Sequence, residues 1–233
     1  LQAYFVCSPM LVVSAAYYSL RFRESRNKDF WSFILLVISI VALMMAGSRN
    51  NMFAAVFLLP TLYIIFGRQR LFSLALASCL ITVLVSLFAA ELASFVDPNE
   101  VGNNVKLGYL SDYGAIFSDL PNLFFGQGLG AYHDFTKLSN PYFVTELTYL
   151  EVFRNFGLFF GLVILLMLLY PVVQTFKLDK SALLEKYIAV AYSFYLVMCF
   201  TNPNLFSSMG ILILCVVLSG LYRARAVRYD SSY

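Results

Sequence analysis

Long apolar runs recur along this chain, and they leave it few ways to fold, because a helix needs about 20 apolar residues to cross a membrane. The runs lie at roughly Leu1–Leu20, Phe30–Gly47, Met52–Phe66, Leu71–Phe95, Glu146–Val173, Tyr187–Phe200 and Met209–Tyr222. Hydrophobic residues make up 61% of the chain and charged residues only 12%, a composition outside the range of soluble domains. The sequence therefore predicts an all-α fold, a polytopic transmembrane helix bundle of about seven helices.

Both ends of the sequence affect the predicted number of transmembrane helices. The last two runs are short for a span. Either they are buried or re-entrant, or each extends by a turn through Thr201–Ser208 and comes close to full length. The sequence begins inside an apolar run at Leu1. We therefore expect one or more further helices to precede it.

Basic residues fall on one side of the predicted spans. That side carries Arg21, Arg23, Arg26, Lys28, Arg68, Arg70, Lys177, Lys180, Lys186, Arg223, Arg225 and Arg228. The opposite side carries only Arg49, Lys106 and Lys137. Short loops rich in Lys and Arg stay in the cytoplasm, so the side with few basic residues faces outward. The net charge of +3 reflects this distribution, and no nucleic-acid partner is expected.

This orientation divides the chain into four regions. Residues 1–96 hold four transmembrane helices, 97–145 form an extracytoplasmic loop, 146–222 hold three more transmembrane helices, and 223–233 form a cytoplasmic tail. The loop is the only polar segment long enough to build a site outside the bilayer. Function is therefore sought there and at the helix ends that face it.

A short amphipathic helix is predicted within this outer loop. Its apolar stripe is Tyr113, Ile116, Phe117 and Leu120. The spacing i, i+3, i+4, i+7 is that of one helix face, which would lie on the membrane surface. Ser111 or Asp112 would cap the helix and Pro121 would stop it.

Three alternate glycines, Gly126, Gly128 and Gly130, follow that helix. Glycine permits backbone conformations and close approaches that side chains block. The spacing is not that of a dinucleotide-binding fingerprint, and no strand precedes it. The segment is either a specific turn or a plain flexible one.

The helix from Glu146 to Val173 is longer than the membrane is thick, at ~42 Å for ~1.5 Å per residue. Its first turns, which carry Glu146, Glu151 and Arg154, are therefore predicted at or above the outer headgroups. On the helical wheel Glu146 and Arg154 lie about 80° apart and Glu151 and Arg154 about 60° apart, so all three side chains can border one cavity. The alternative is an ordinary interfacial Glu151–Arg154 pair at i, i+3.

Arg49 stands in a short outer turn between two spans, where the positive-inside preference disfavours a basic residue. A local interaction is expected to compensate. Either the guanidinium reaches lipid phosphate, or it binds an anionic headgroup substrate, for which its bidentate geometry is suited.

No pattern of metal ligands is evident. The cysteines, Cys7, Cys79, Cys199 and Cys215, all fall in predicted spans without paired spacing, which is typical of small packing residues. The single histidine, His133, lies beside Asp134 in the loop and is either a catalytic base or an incidental loop residue. The sequence therefore predicts metal independence and no cofactor.

Three segments together resemble the O-antigen polymerase and O-antigen ligase superfamily. They are the Gly47-Ser-Arg49 turn between two helices, the loop end NLFFGQGLGAY, and the helix TELTYLEVFRNFGLFFGLVILL. The resemblance covers roughly Val41–Phe66 and Gly108–Leu169. It implies a bacterial inner-membrane glycosyltransferase of all-helical fold, which takes a glycan from an undecaprenyl-diphosphate carrier on the periplasmic face without a nucleotide sugar. Membrane lipid and a chain-length regulator are further candidate partners.

The resemblance also implies roles for single residues. Arg49 matches the arginine expected to contact the diphosphate, and Gly126, Gly128 and Gly130 match the glycine-rich turn. An arginine is expected ahead of the amphipathic helix, where this chain offers only Lys106, so Arg154 is a second candidate for the other phosphate contact. Glu146 is the first candidate for the base that deprotonates the acceptor hydroxyl, and His133 the second.

The residue at position 146 distinguishes between two activities that the resemblance implies. Ligases carry a His-Asn pair four residues before the leucine that corresponds to Leu150, where this chain has Glu146. An acidic residue favours a polymerase of O-antigen, capsule or exopolysaccharide repeat units over a ligase that transfers glycan to lipid A-core. A polysaccharide or lipid flippase is the alternative from another class. It is disfavoured because the span interiors are almost free of charge.

Overall fold

The structure is a computed structural model that describes residues 8–25, 29–46, 49–67, 101–131, 147–179, 181–200 and 202–230, and the single positions 78, 82 and 86. All regular structure in this part of the chain is helical. The helices are α1 (Ser8–Glu24), α2 (Phe30–Met45), α3 (Arg49–Phe66), α4 (Val101–Phe117), α5 (Leu120–Phe125), α6 (Thr148–Phe176), α7 (Leu183–Met198) and α8 (Ser208–Asp230). The prediction of an all-α chain is confirmed for these residues.

The predicted apolar runs coincide with α1, α2, α3, α6, α7 and α8. The predicted run Leu71–Phe95 falls outside the described residues except for Ser78, Thr82 and Ser86, which are helical. The extension through Thr201–Ser208 is wrong, because α7 ends at Met198 and α8 begins only at Ser208. Pro203 lies between them, and a proline disfavours helical geometry in the residue before it.

Among the helices that the structure describes, two are long and apolar enough to cross a bilayer. They are α6, at 29 residues, and the part of α8 from Ser208 to Ala226, at 19 residues. Two more apolar helices, Phe30–Met45 and Asn50–Phe66, are shorter. By length and composition, the described helices therefore do not confirm a bundle of about seven spans.

The described helices belong to two compact units. The first contains α1, α2, α3, α7, α8 and the end of α6 from Pro171. Within it, α1 packs against α2, α3, α7 and α8, and α7 packs against α3 and α8. Small residues allow helix backbones to approach closely, and alanines at 0% exposure occupy these contacts: Ala15, Ala16, Ala54, Ala55, Ala189 and Ala191.

Asp29 is the N-cap residue of α2. Its carboxylate accepts hydrogen bonds from the Ser32 hydroxyl at 2.6 Å and the Ser32 amide at 3.2 Å. These two bonds, the hydroxyl bond first, lower the pKa of Asp29 below its usual value near 3.8. The cap is therefore fully formed above the ordinary aspartate range and is lost only as the pH falls through the lowered pKa.

The second unit contains α4, α5, α6 up to Tyr170, and the Cys199–Ser207 connection. Its apolar cluster joins Tyr109, Tyr113 and Ile116 of α4 to Leu147, just before α6. The predicted amphipathic helix is thus corrected. Tyr113 and Ile116 pack against protein rather than lie on a membrane surface, since both are at most 5% exposed.

The boundaries of the predicted amphipathic helix also change. α4 begins at Val101, so Ser111 and Asp112 lie inside it rather than capping it. Pro121 does not stop this helix, because α4 ends at Phe117 and Pro121 stands in the first turn of α5. A proline is favoured there because its missing N–H would have no partner in the first turn.

Candidate functional site

A break in α6 at Gly157 organises the second unit. Gly157 has φ 69° and ψ 178°, and Gly126 at the end of α5 has φ 76° and ψ 173°. This backbone region is essentially accessible only to glycine. The break separates the polar start of α6, which carries Glu151 and Arg154, from the apolar remainder.

The two glycines also lie against each other. A Cβ on Gly126 would stand 2.6 Å from the carbonyl oxygen of Asn155 and 2.5 Å from the amide nitrogen of Gly157. A Cβ on Gly157 would meet the carbonyl of Phe124. No side chain fits at either position, so this contact requires two glycines.

The glycine-rich turn replaces hydrogen bonds that the break removes. An uninterrupted helix would satisfy the carbonyls of Arg154 and Asn155 from the residues four positions later. Here the amide of Gln127 donates to the Arg154 carbonyl at 2.7 Å, and the amide of Gly128 donates to the Asn155 carbonyl at 3.1 Å. The turn is therefore a specific structural element. Gly126, Gly128 and Gly130 all have positive φ, at 76°, 86° and 79°, so of the two alternatives that the sequence left open, the structure has the specific turn.

Arg154 is the centre of a buried polar network. Its side chain is 0% exposed. Nε and Nη2 donate to Glu151 Oε2 at 3.0 and 2.8 Å. Nη1 donates to the Ala131 carbonyl at 2.9 Å and to Gln127 Oε1 at 3.4 Å. The guanidinium thus joins the start of α6 to both ends of the segment 127–131.

Glu151 completes the network from the other side. It is 4% exposed, and its Oε1 accepts a hydrogen bond from the Tyr113 hydroxyl at 2.6 Å. Tyr113 belongs to the apolar cluster of α4. The carboxylate is therefore held by α4 through one oxygen and by Arg154 through the other. Removing one member of such a pair leaves an uncompensated buried charge.

We expect Tyr113→Phe to lower the free energy of unfolding by about 1.5–3 kcal/mol, the range for a hydrogen bond to a charged group. The ring of Tyr113 would stay in the apolar cluster, so the change removes only the hydroxyl. Denaturation of the purified protein in mixed detergent micelles measures the difference. An unchanged unfolding midpoint would show that α4 does not hold Glu151.

A cavity of about 450 Å³ opens beside this network, within the size range of small-molecule sites. Glu151 and Asn155 of α6 line it, together with Thr148 and Ser207 and apolar residues that include Phe156 and Phe206. The side-chain oxygen Oδ1 of Asn155 is buried and has no hydrogen-bond partner. An unmade buried hydrogen bond costs about 1–3 kcal/mol, so Asn155 is a candidate for a role in binding rather than in stability.

The predicted site residues are only partly brought together. Arg154 contacts the glycine-rich turn, whereas Lys106 is half-buried on α4 and does not line the cavity. Arg49 begins α3 in the first unit, and its side chain is outside the described part of the structure. His133 and Glu146 lie outside the described residues.

The burial of the Arg154 side chain affects the role predicted for this residue. The side chain is enclosed and does not line the cavity, since its donors turn to Glu151, Gln127 and Ala131. This geometry favours a positioning role. A phosphate contact by Arg154 stays a prediction.

Sequence reasoning missed Asn155, Thr148 and Ser207 as site residues. A signal existed for the first two, because Thr148, Glu151 and Asn155 follow the helical spacing i, i+3, i+7 and so share one face. Ser207 carries no such signal, because it reaches the cavity from the connection between α7 and α8.

The described residues include no group of three or more His, Cys, Asp or Glu side chains placed to hold a metal ion. No family model, curated protein or solved structure matches the chain.

Proposed function

We propose that this protein is a bacterial inner-membrane glycosyltransferase that polymerises undecaprenyl-diphosphate-linked oligosaccharide repeat units on the periplasmic face. The repeat units would belong to O-antigen, capsule or exopolysaccharide. The observation that carries the proposal is the buried carboxylate of Glu151, which lines a cavity beside the glycine-rich turn. Both features lie in the segments that resemble the polymerase and ligase superfamily.

Exposed apolar surface supports a membrane location. Only 22% of the most apolar window of α6 is buried, whereas a core helix of a soluble protein would be mostly buried. Beyond Gly157 the helix exposes Phe160 at 63%, Leu166 at 67% and Met167 at 68%. A continuous apolar surface of this kind marks contact with lipid or with another protein.

Hydrogen bonds between helices agree with the proposed topology of about seven spans. The Asn50 side-chain amide donates to the Met198 carbonyl at 2.8 Å, which joins the start of α3 to the end of α7, both outer ends. Arg225 donates to Gln174 at 2.6 Å, and Arg23 donates to Tyr187 at 2.9 Å. Each of these pairs joins two inner ends. Every bond therefore connects residues that the topology assigns to the same side.

The proposed reaction needs charge stabilisation and a base. A hydroxyl oxygen of the acceptor sugar forms a bond to the anomeric carbon of the donor, the bond from that carbon to the carrier diphosphate breaks, and the hydroxyl proton passes to a carboxylate. Arg49 is the proposed cation at the diphosphate, because a guanidinium binds phosphate oxygens in a bidentate manner. Glu146 is the proposed base, with His133 as second candidate.

We expect Arg49→Ala and Glu146→Ala each to abolish polymer. One preorganised charge donor contributes roughly 10²–10³-fold in rate, and a general base roughly 10²–10⁴-fold. Polymer length on gels, in cells that lack the native protein and carry each variant, measures the effect. Arg49→Lys should also be poor, because an ammonium lacks the bidentate geometry.

Membrane insertion of each variant serves as the control and should equal that of the parent. Near-normal polymer from both alanine variants would reject the proposed site. Cells that lack the protein also separate the alternatives. Chains of one repeat unit indicate a polymerase, and full-length chains left on the lipid carrier indicate a ligase. Flux of the lipid-linked sugar in proteoliposomes, without a new glycosidic bond, would indicate a flippase.

A further inference from the structure

Neutral polar groups line the cavity beside Glu151. Asn155 contributes a side-chain amide, which can both donate and accept hydrogen bonds. Its oxygen Oδ1 is buried and has no hydrogen-bond partner. The Thr148 hydroxyl already donates its proton to the Asn202 carbonyl at 2.7 Å, and the Ser207 hydroxyl donates to the Asn204 carbonyl at 2.7 Å. A hydroxyl carries one proton, so both present only oxygen lone pairs to a ligand.

The charges of the lining residues further restrict the class of ligand that the cavity can bind. None of the described residues that line the cavity carries a positive charge. The negative charge of Glu151 is balanced by Arg154, whose Nη2 lies 2.8 Å from Oε2. A phosphate group is negatively charged, so among these residues it would find no cation and would lie beside the carboxylate of Glu151. An amine would find no uncompensated negative charge.

We infer that this cavity binds the neutral polyhydroxyl part of the acceptor sugar, with the side-chain amide of Asn155 hydrogen-bonded to a sugar hydroxyl, and that the carrier diphosphate binds elsewhere. The inference rests on the proposed function and names the substrate group of that same site. Sugar hydroxyls both donate and accept hydrogen bonds, so they match the Asn155 amide and the hydroxyl oxygens of Thr148 and Ser207. The apolar C–H face of a sugar ring fits against an aromatic side chain, and Phe156 and Phe206 line the same cavity.

The inference explains why an unpartnered oxygen is retained at position 155. A buried acceptor without a donor destabilises the free protein, and binding sites commonly trade stability for function in this way. Substitution of Asn155 should therefore have opposite effects on sugar affinity and on thermal stability. Removing the Asn155 amide should weaken sugar binding and should leave thermal stability equal or higher.

The test uses Asn155→Leu, which keeps a similar shape without polar atoms. The probe is the host's repeat-unit oligosaccharide, released from its lipid carrier as the free sugar, and calorimetry measures its Kd for the purified protein in lipid nanodiscs. We expect binding about tenfold weaker, as for one lost hydrogen bond, with no decrease in Tm. Asn104→Leu, at an exposed asparagine of the same unit outside the cavity, should bind like the parent.

A second variant keeps the test valid if Asn155→Leu does not fold. Phe206 is 55% exposed, so Phe206→Ala should fold, and it should also weaken sugar binding. Parent-like sugar affinity in the folded variants would overturn the inference, as would inorganic pyrophosphate that competes with the sugar.

These outcomes are separate from those that test the proposed function. If the sugar binds through Asn155 but the protein makes no polymer in cells, the sugar site stands and the polymerase proposal fails. If polymer forms and Asn155→Leu binds and polymerises like the parent, the polymerase proposal stands and the sugar site is wrong.

Discussion

Arg154→Met is expected to lower the free energy of unfolding by about 3–5 kcal/mol, the loss typical when one partner of a buried ion pair is removed. Arg154 is 0% exposed and Glu151 4% exposed, so water cannot compensate the carboxylate that remains. The change would also remove the donors to Gln127 and the Ala131 carbonyl. Denaturation in mixed micelles measures the loss, and the glycine-rich turn should become sensitive to protease.

The double variant Glu151→Leu/Arg154→Met is the matched control. Replacing both members of a buried pair by apolar groups is often nearly neutral, although here the Tyr113 hydroxyl would lose its acceptor. We expect the double variant to be more stable than Arg154→Met alone. A double variant as unstable as the single one would mean that the charge of Glu151 is not what makes Arg154 necessary.

Gly157→Ala is expected to destabilise the second unit by about 3 kcal/mol or more. Two effects combine, because the backbone conformation disfavours any side chain by about 1–3 kcal/mol, and the new Cβ would meet the Phe124 carbonyl. Overpacking adds about 1–3 kcal/mol. The loss of the contact between α5 and the break in α6 should also abolish polymer, measured in cells as for the other variants.

Other glycines separate these two effects. Gly128 and Gly130 have positive φ, but a Cβ on either would meet nothing within 4 Å. Gly128→Ala and Gly130→Ala should therefore be destabilised only by the backbone term, about 1–2 kcal/mol. Gly114 lies in α4 with nothing within 4 Å, so Gly114→Ala should be stabilised by about 0.5–1 kcal/mol. Equal losses at Gly128 and Gly157 would contradict the role of the close contact.

The break at Gly157 and the buried side chain of Arg154 together position the cavity lining of the second unit. The break at Gly157 exposes two backbone carbonyls, Gln127 and Gly128 bind them, and Arg154 returns from α6 to the far end of the same turn. The cavity lining from α6 is thus positioned by contacts distant in sequence. A variant in the turn can affect the site without touching a ligand.

Local patterns in the sequence were enough to predict most helices. The run at Phe30–Gly47 became α2, and the charged first turns of the Glu146–Val173 run became the polar start of α6. For the glycine-rich turn, the sequence left a specific and a flexible conformation open. These features depend on residues close in sequence, whose spacing and chemistry determine helix, cap or turn.

Two other predictions failed, the first for a local reason and the second because a residue distant in sequence provides the contact. Pro121 was expected to end a helix and instead stands at the start of α5. The stripe of Tyr113 and Ile116 was expected at a lipid surface and instead packs against Leu147. Apolar spacing identifies a buried face but does not identify what covers it.

The sequence by itself determined that this chain is helical, which runs are apolar, and where glycines permit unusual backbone geometry, because each depends on neighbouring residues. Only the tertiary structure decided that Arg154 is enclosed rather than exposed to a ligand, and that the oxygen of Asn155 lacks a partner beside a cavity. The physical reason is that burial and hydrogen-bond partners are set by segments far apart in the chain, here α4, the turn at 126–131 and the connection before α8.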